Sequence, residues 1–208
     1  MTRSYRSSTR GRYHSNDCPI CYGDEPRSSK LESDVFTLIE FVLGTGERGV
    51  AVPTDRRMVL DMRFRGRGGL PIGIEYDGAY WHAAKEDADL RKTHRLLSSG
   101  TAAVVVRIRE APLHPLSYED VRVATGAPPA VIAIATLLHL IHIEAVDTGV
   151  EARVAAALSA TGVSLHQHRI YCRKCRWKLA ELLDLGAAYV TNNRRTRLRA
   201  TQTRVPLS

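Results

Sequence analysis

The run Ile72-Gly73-Ile74-Glu75-Tyr76-Asp77-Gly78-Ala79-Tyr80-Trp81-His82 constrains this chain more than any other segment. Apolar residues lead into two carboxylates one residue apart, a glycine breaks the run, and an aromatic pair and a histidine follow at once. In a strand, side chains alternate between faces, so Glu75 and Asp77 point the same way. Carboxylates held that close repel each other unless a cation or a shared proton lies between them. Asp61 ends the preceding apolar run Met58-Val59-Leu60 and offers a further oxygen donor. The occupant such a donor set favours is a hard divalent ion. With a histidine nearby, this chemistry points to hydrolysis of a phosphodiester.

Composition narrows the partner. The chain has 208 residues, with 30 Lys and Arg against 22 Asp and Glu, a formal charge of +8. A basic surplus of this kind favours polyanions, although a soluble basic protein would also carry it. The excess gathers at the ends, as Arg3, Arg6, Arg10 and Arg12 in front and Arg194, Arg195, Arg197, Arg199 and Arg204 behind. With Tyr5 and Tyr13 interleaved, these arms suit phosphate contact and base stacking; two solvated tails are the plainer reading. No apolar leader opens the sequence. The longest apolar run, Ala130 to Ile143, is short for a bilayer and contains His139 and His142. A cytoplasmic location without a membrane partner is therefore expected, nucleoid-associated if the source is bacterial, with a phage origin also open.

In that compartment thiols stay reduced, which bears on the two pairs Cys18-Pro-Ile-Cys21 and Cys172-Arg-Lys-Cys175. Two Cys-x-x-Cys knuckles with no spare cysteine suit one structural Zn²⁺ held by Cys18, Cys21, Cys172 and Cys175. The ion would then join the two ends of the chain, which commonly lie near each other in compact domains. His166 and His168 are substitute ligands, a site using Cys18 and Cys21 with other residues stays open, and redox pairs or isolated thiols are the further alternatives.

Pattern divides the chain into a basic arm with the first knuckle (1–27), a core (28–112), a helical extension (113–165), and the second knuckle with a basic tail (166–208). Leu31, Val35, Leu38, Ile39, Val42 and Leu43 trace one helical face, stopped by Gly44 and Gly46. Gly49 to Pro53 and Met58 to Phe64 read as a hairpin, and Pro71 to Tyr76 as a third strand. Ala83 to Leu97 is a charged helix. Ala102 to Ile108 is a continuous β-branched run of the kind found in buried central strands, expected to pair parallel with one of the first three through the intervening helix. Pro112 to Pro129 reads as a connector, followed by helices at about Pro129–Ala145 and Gly149–Ser159.

Several of these residues together carry a resemblance: Ser29-Lys30-Leu31-Glu32, Leu60-Asp61, Glu75-Tyr76-Asp77-Gly78-x-Tyr80-Trp81-His82, Asp89-x-x-Lys92, and Val106-Arg107-Ile108-Arg109-Glu110. Over about residues 28–110 the chain resembles the PD-(D/E)XK nuclease superfamily, and more narrowly its Vsr-like branch of very short patch repair and homing-type endonucleases. The resemblance implies an α/β fold with a restriction-endonuclease-like core of helix, three-strand meander, helix and strand. C-terminal helices and a small zinc-binding element joining the termini would complete it. It also implies a Mg²⁺- or Mn²⁺-dependent endonuclease acting on duplex DNA and leaving a 5′-phosphate. Whether it works as a monomer or a homodimer stays open.

Residue by residue, the resemblance gives Asp61 the role of metal-binding aspartate; from their place on the strand, Glu75 or Asp77 would join it in holding one Mg²⁺ or two. Glu32 matches a helix glutamate facing the metal, though an acid in a first helical turn also interacts favourably with the helix dipole. His82 matches a histidine that moves a proton to or from the reacting oxygens; a packed surface histidine is the alternative. The usual third motif ends in lysine, and here that position is Asp77. The burden shifts to His82, or to Lys92 reaching in from the helix, with Lys85 and Arg91 as weaker candidates. Asp87 and Asp89 would be a distal acid or plain helix-face charges. Tyr80 and Trp81 would stack on a base or wedge into a duplex, or pack inside. Two other classes remain: a catalytically inactive zinc-containing DNA-binding protein on a nuclease fold, and a redox or zinc-sensing regulator.

Overall fold

The computed structural model describes residues 30–161 and 170–183. Helix α1 (Lys30–Leu43) buries Val35, Phe36, Ile39 and Val42, the spacing that puts one helical face against a core. It ends where Gly44, at φ +92°, returns its amide to the Glu40 carbonyl at 2.8 Å. A left-handed residue just past a helix is the position glycine fills without strain.

Strands β1 (Glu47–Val52), β2 (Asp55–Arg65) and β3 (Pro71–Asp77) form an antiparallel meander. A single turn, α2 (Ala79–His82), and a longer helix, α3 (Glu86–Ser98), follow. The chain then re-enters the sheet as β4 (Val104–Glu110), parallel to β3, with Glu75 beside Arg107 and Asp77 beside Arg109. Parallel neighbours need such a crossover, because a tight turn cannot reverse the chain twice. Strand β5 (Val121–Val123) pairs parallel with β4. The five-stranded mixed sheet runs β1-β2-β3-β4-β5.

Helices α4 (Pro129–His142), α5 (Gly149–Thr161) and α6 (residues 173–183) complete the described chain. Together with α1 they cover one face of the sheet. Met62, Phe64, Ile74, Val106 and Ile108 pack there with Ile39, Leu137, Val154 and Leu179. Helix α4 is apolar on nearly every side and is buried from Val131 to Leu140, as such a helix must be in water. The opposite face carries a smaller cluster of Val52, Leu60, Leu96, Ala102 and Val105. Alongside it runs the row of charged side chains described below.

The architecture is the expected α/β one, and it differs from the sequence reading in two places. The connector between residues 112 and 129 contains β5, and α4 and α5 fill the same core as α1, so packing continues without a break past position 112. Ile170 bridges Val123 and α6 lends Cys175, Leu179 and Leu182 to that core, so this part of the 166–208 segment belongs to the main body. Residues 1–29, 162–169 and 184–208, with Cys18, Cys21, His166, His168 and the basic arms, lie outside the described residues. Among the described residues no helix is long and apolar enough to cross a membrane.

Candidate active site

Strand β2 changes sides of the sheet at Asp61. Met62 packs into the larger core and Leu60 into the smaller one opposite, and pairing of β2 with β3 ends at Met62 and Ile74. Where the ladder stops, the side chain of Asp61 takes over. Its Oδ2 accepts the Tyr76 amide at 2.9 Å, and its own amide donates to Glu75 Oε1 at 3.4 Å. From α3, Lys92 Nζ donates to Glu75 Oε2 at 2.5 Å and stands 4.0 Å from Asp61 Oδ1. Two carboxylates from adjacent strands thus share one ammonium from the crossover helix.

Glu75 is buried, while the side chains of Asp61 and Lys92 keep 25% and 26% of their exposure, so the group opens to solvent on their side. Burial, and then the neighbouring Asp61, push the Glu75 carboxyl up to about 8, against the pull of Lys92. Burial also raises Asp61, with Lys92 opposing it. Without a cation the strain is met by a proton held on Glu75; a divalent cation between the oxygens would take the place of that proton and let both carboxylates ionise.

Asp77 shares the face of Glu75, as the strand period requires, but has different partners. Arg107 grips it with Nε and Nη2, each at 2.7 Å, and Arg109 Nη1 donates to it at 2.8 Å. Both guanidiniums also reach Asp89, at 3.3 and 3.2 Å. Burial works against the charge of Arg107, and its bonds to Asp77 outweigh that, holding it above the usual guanidinium value. Asp77, Asp89 and His82 lie close enough together to surround an ion. Two arginines already balance the two carboxylates, however, so a cation there would meet no uncompensated charge.

His82 is set by what precedes it. Gly78 ends β3, and Glu110 on β4 accepts the Ala79 amide at 3.0 Å, which holds the single turn α2 in place. His82 Nδ1 then lies 2.9 Å from Asp89 Oδ1 and 3.4 Å from Asp77 Oδ1. A carboxylate accepts only, so Nδ1 carries a proton and Nε2 is the ring atom left free of these contacts. Beside it, Tyr80 and Trp81 stand exposed, 83% and 69%, edge to face with centroids 4.9 Å apart; they do not pack inside.

The remaining candidates fall elsewhere. Glu32 is half-buried in the first turn of α1, the helix on the other face of the sheet. Lys85, Asp87 and Arg91 are exposed around α3. Arg107, Arg109 and Glu110 belong to the motif that carries the resemblance, but the sequence reading assigned them no role in the site. The alternation of valine and isoleucine with arginine along β4 was the available signal, since it marks a strand with two different faces.

A second group that could hold a metal unites Cys172, Cys175 and His139. The two cysteines are the described half of the expected thiolate set; the histidine was not expected. Compared with known proteins, the chain matches no family model, no curated protein and no solved structure.

Proposed function

We propose that this chain is a divalent-cation-dependent DNA endonuclease with a restriction-endonuclease-like core of the Vsr-like kind. The observation that carries this reading is the group formed by Asp61, Glu75 and Lys92, on two strands and a crossover helix and open to solvent on one side. The order of helix, antiparallel meander, helix and parallel strand supports the same reading.

The donors fit the cation. Two neighbouring carboxylates suit Mg²⁺ or Mn²⁺, which Asp61 and Glu75 would hold, whereas the thiolates of Cys172 and Cys175 suit zinc. A bound Mg²⁺ supplies Lewis-acid polarisation of the scissile phosphate.

The chain's own residues do the rest. Lys92 provides, from α3, the positive charge that the strand lacks at position 77, and it steadies charge developing on the phosphate oxygens. His82, oriented through Nδ1 by Asp89, offers Nε2 to take a proton from the attacking water or return one to the leaving oxygen. Tyr80 and Trp81 offer flat, exposed surfaces to bases. Lys85, Arg91 and Arg95, exposed around α3, meet backbone phosphates. Asp77 is a structural anchor for Arg107 and Arg109 and leaves the cation to Asp61 and Glu75. One copy would nick a single strand.

Supercoiled plasmid with Mg²⁺ or Mn²⁺ tests the proposal. Nicked circles should accumulate with the native chain and fail to form with Asp61→Ala and Lys92→Ala. A gel shift that needs no metal, with no cutting under any condition, would favour a DNA-binding protein without catalysis.

A further inference from the structure

Far from the carboxylates, on the face of the sheet covered by α4 and α6, His139 meets the second cysteine pair. Its ring is buried in the last turn of a largely apolar helix, where a polar side chain needs a partner. Nε2 lies 3.2 Å from the Tyr118 carbonyl. A carbonyl only accepts, so Nε2 carries the proton and Nδ1 keeps its lone pair. That lone pair faces Cys175, whose sulfur is 3.9 Å from Nδ1. Cys172 Sγ completes a set whose three donor atoms lie within 4.8 Å of one another.

We infer that His139 Nδ1, Cys172 Sγ and Cys175 Sγ bind one zinc ion, so that a histidine of α4 takes a place the sequence spacing assigns to an N-terminal cysteine. The chemistry fits at each point. A ligating imidazole usually donates its other N–H to a carbonyl or carboxylate, which fixes the ring and its tautomer; the Tyr118 carbonyl fills that role. Two thiolates and a neutral imidazole balance the charge of Zn²⁺ and match its preference for sulfur and nitrogen. Tetrahedral coordination calls for ligand separations of roughly 3.6 to 3.8 Å, close to the 3.9 Å seen between His139 and Cys175. The cysteines stand free rather than bonded to each other, with Cys172 just before α6 and Cys175 in its first turn. The ion would pin α6 to α4 and to the stretch before β5, closing the edge of the sheet where Ile170 meets Val123. The fourth position falls to water or to a further donor.

X-ray absorption at the zinc edge of the full chain tests this directly. The expected shell has two sulfurs and at least one imidazole, with one zinc per chain. His139→Ala should surrender zinc to a competing chelator about tenfold more readily or worse, since loss of a mere outer partner already costs 10- to 100-fold. Far-UV circular dichroism on that variant separates lost zinc from lost fold. A four-sulfur shell, a disulfide between Cys172 and Cys175 in place of metal, or a folded His139→Ala that holds zinc as tightly as the native chain would each overturn the assignment. None of these outcomes depends on DNA cleavage, so this proposal and the nuclease reading fail separately.

Discussion

Lys92 Nζ stands 2.5 Å from Glu75 Oε2, tying the middle of α3 to the carboxylate of β3. The position two residues after Glu75 is an acid already gripped by Arg107 and Arg109. Positive charge beside Glu75 and Asp61 therefore comes mainly from the helix, with Arg107 Nη2 3.8 Å from Glu75.

Lys92→Met should lower single-turnover cleavage by about 100-fold, the usual cost of removing one group that steadies transition-state charge. Affinity for duplex DNA, read by gel shift, should change little. Equal losses in both measurements would make Lys92 a DNA contact only.

Stability should depend on pH through Glu75. Burial and Asp61 raise its carboxyl from 4.5 to about 8 in the folded chain, so between those values the folded state binds more protons than the unfolded one. Stability of the metal-free protein then falls as pH rises across that window and levels off above it. Melting temperature against pH in EDTA should show this decline, and Glu75→Gln should flatten it. Saturating Mg²⁺ should flatten it too, with protons released on binding.

His82→Ala should slow cleavage by about 100-fold or more, within the range for a lost general acid or base, without moving the melting temperature much. The cleavage rate against pH should lose one limb in this variant. An unchanged profile would leave His82 outside the chemistry.

Asp77 and Arg107 should behave as a structural pair. Arg107→Met alone strands buried carboxylates and should cost about 3–5 kcal/mol in urea melts. The double variant Asp77→Leu/Arg107→Met, which leaves Arg109 paired with Asp89, should recover much of that loss. If Asp77→Leu instead removed metal binding from a fully stable protein, Asp77 would be a ligand.

Much of this was legible in the sequence. Alternation up to Glu75, the break at Gly78 and the charged helix with Lys92 gave the strand, turn and crossover that build the site. Spacing put Asp77 beside Glu75 correctly, but its partners sit on β4, at Arg107 and Arg109, and only strand register reveals them. Strand β5 was hidden because three residues among prolines and glycines carry no period. His139 lies 36 positions from Cys175, and nothing local to a buried helix announces a ligand that folding brings to it.

The most direct test is anomalous diffraction from crystals of the chain soaked in Mn²⁺. The expected map has a peak between the carboxylates of Asp61 and Glu75, with the Lys92 ammonium displaced from Glu75. A peak among Asp77, His82 and Asp89, or none at either group, would contradict the assignment of Asp61 and Glu75 as the cation-holding pair.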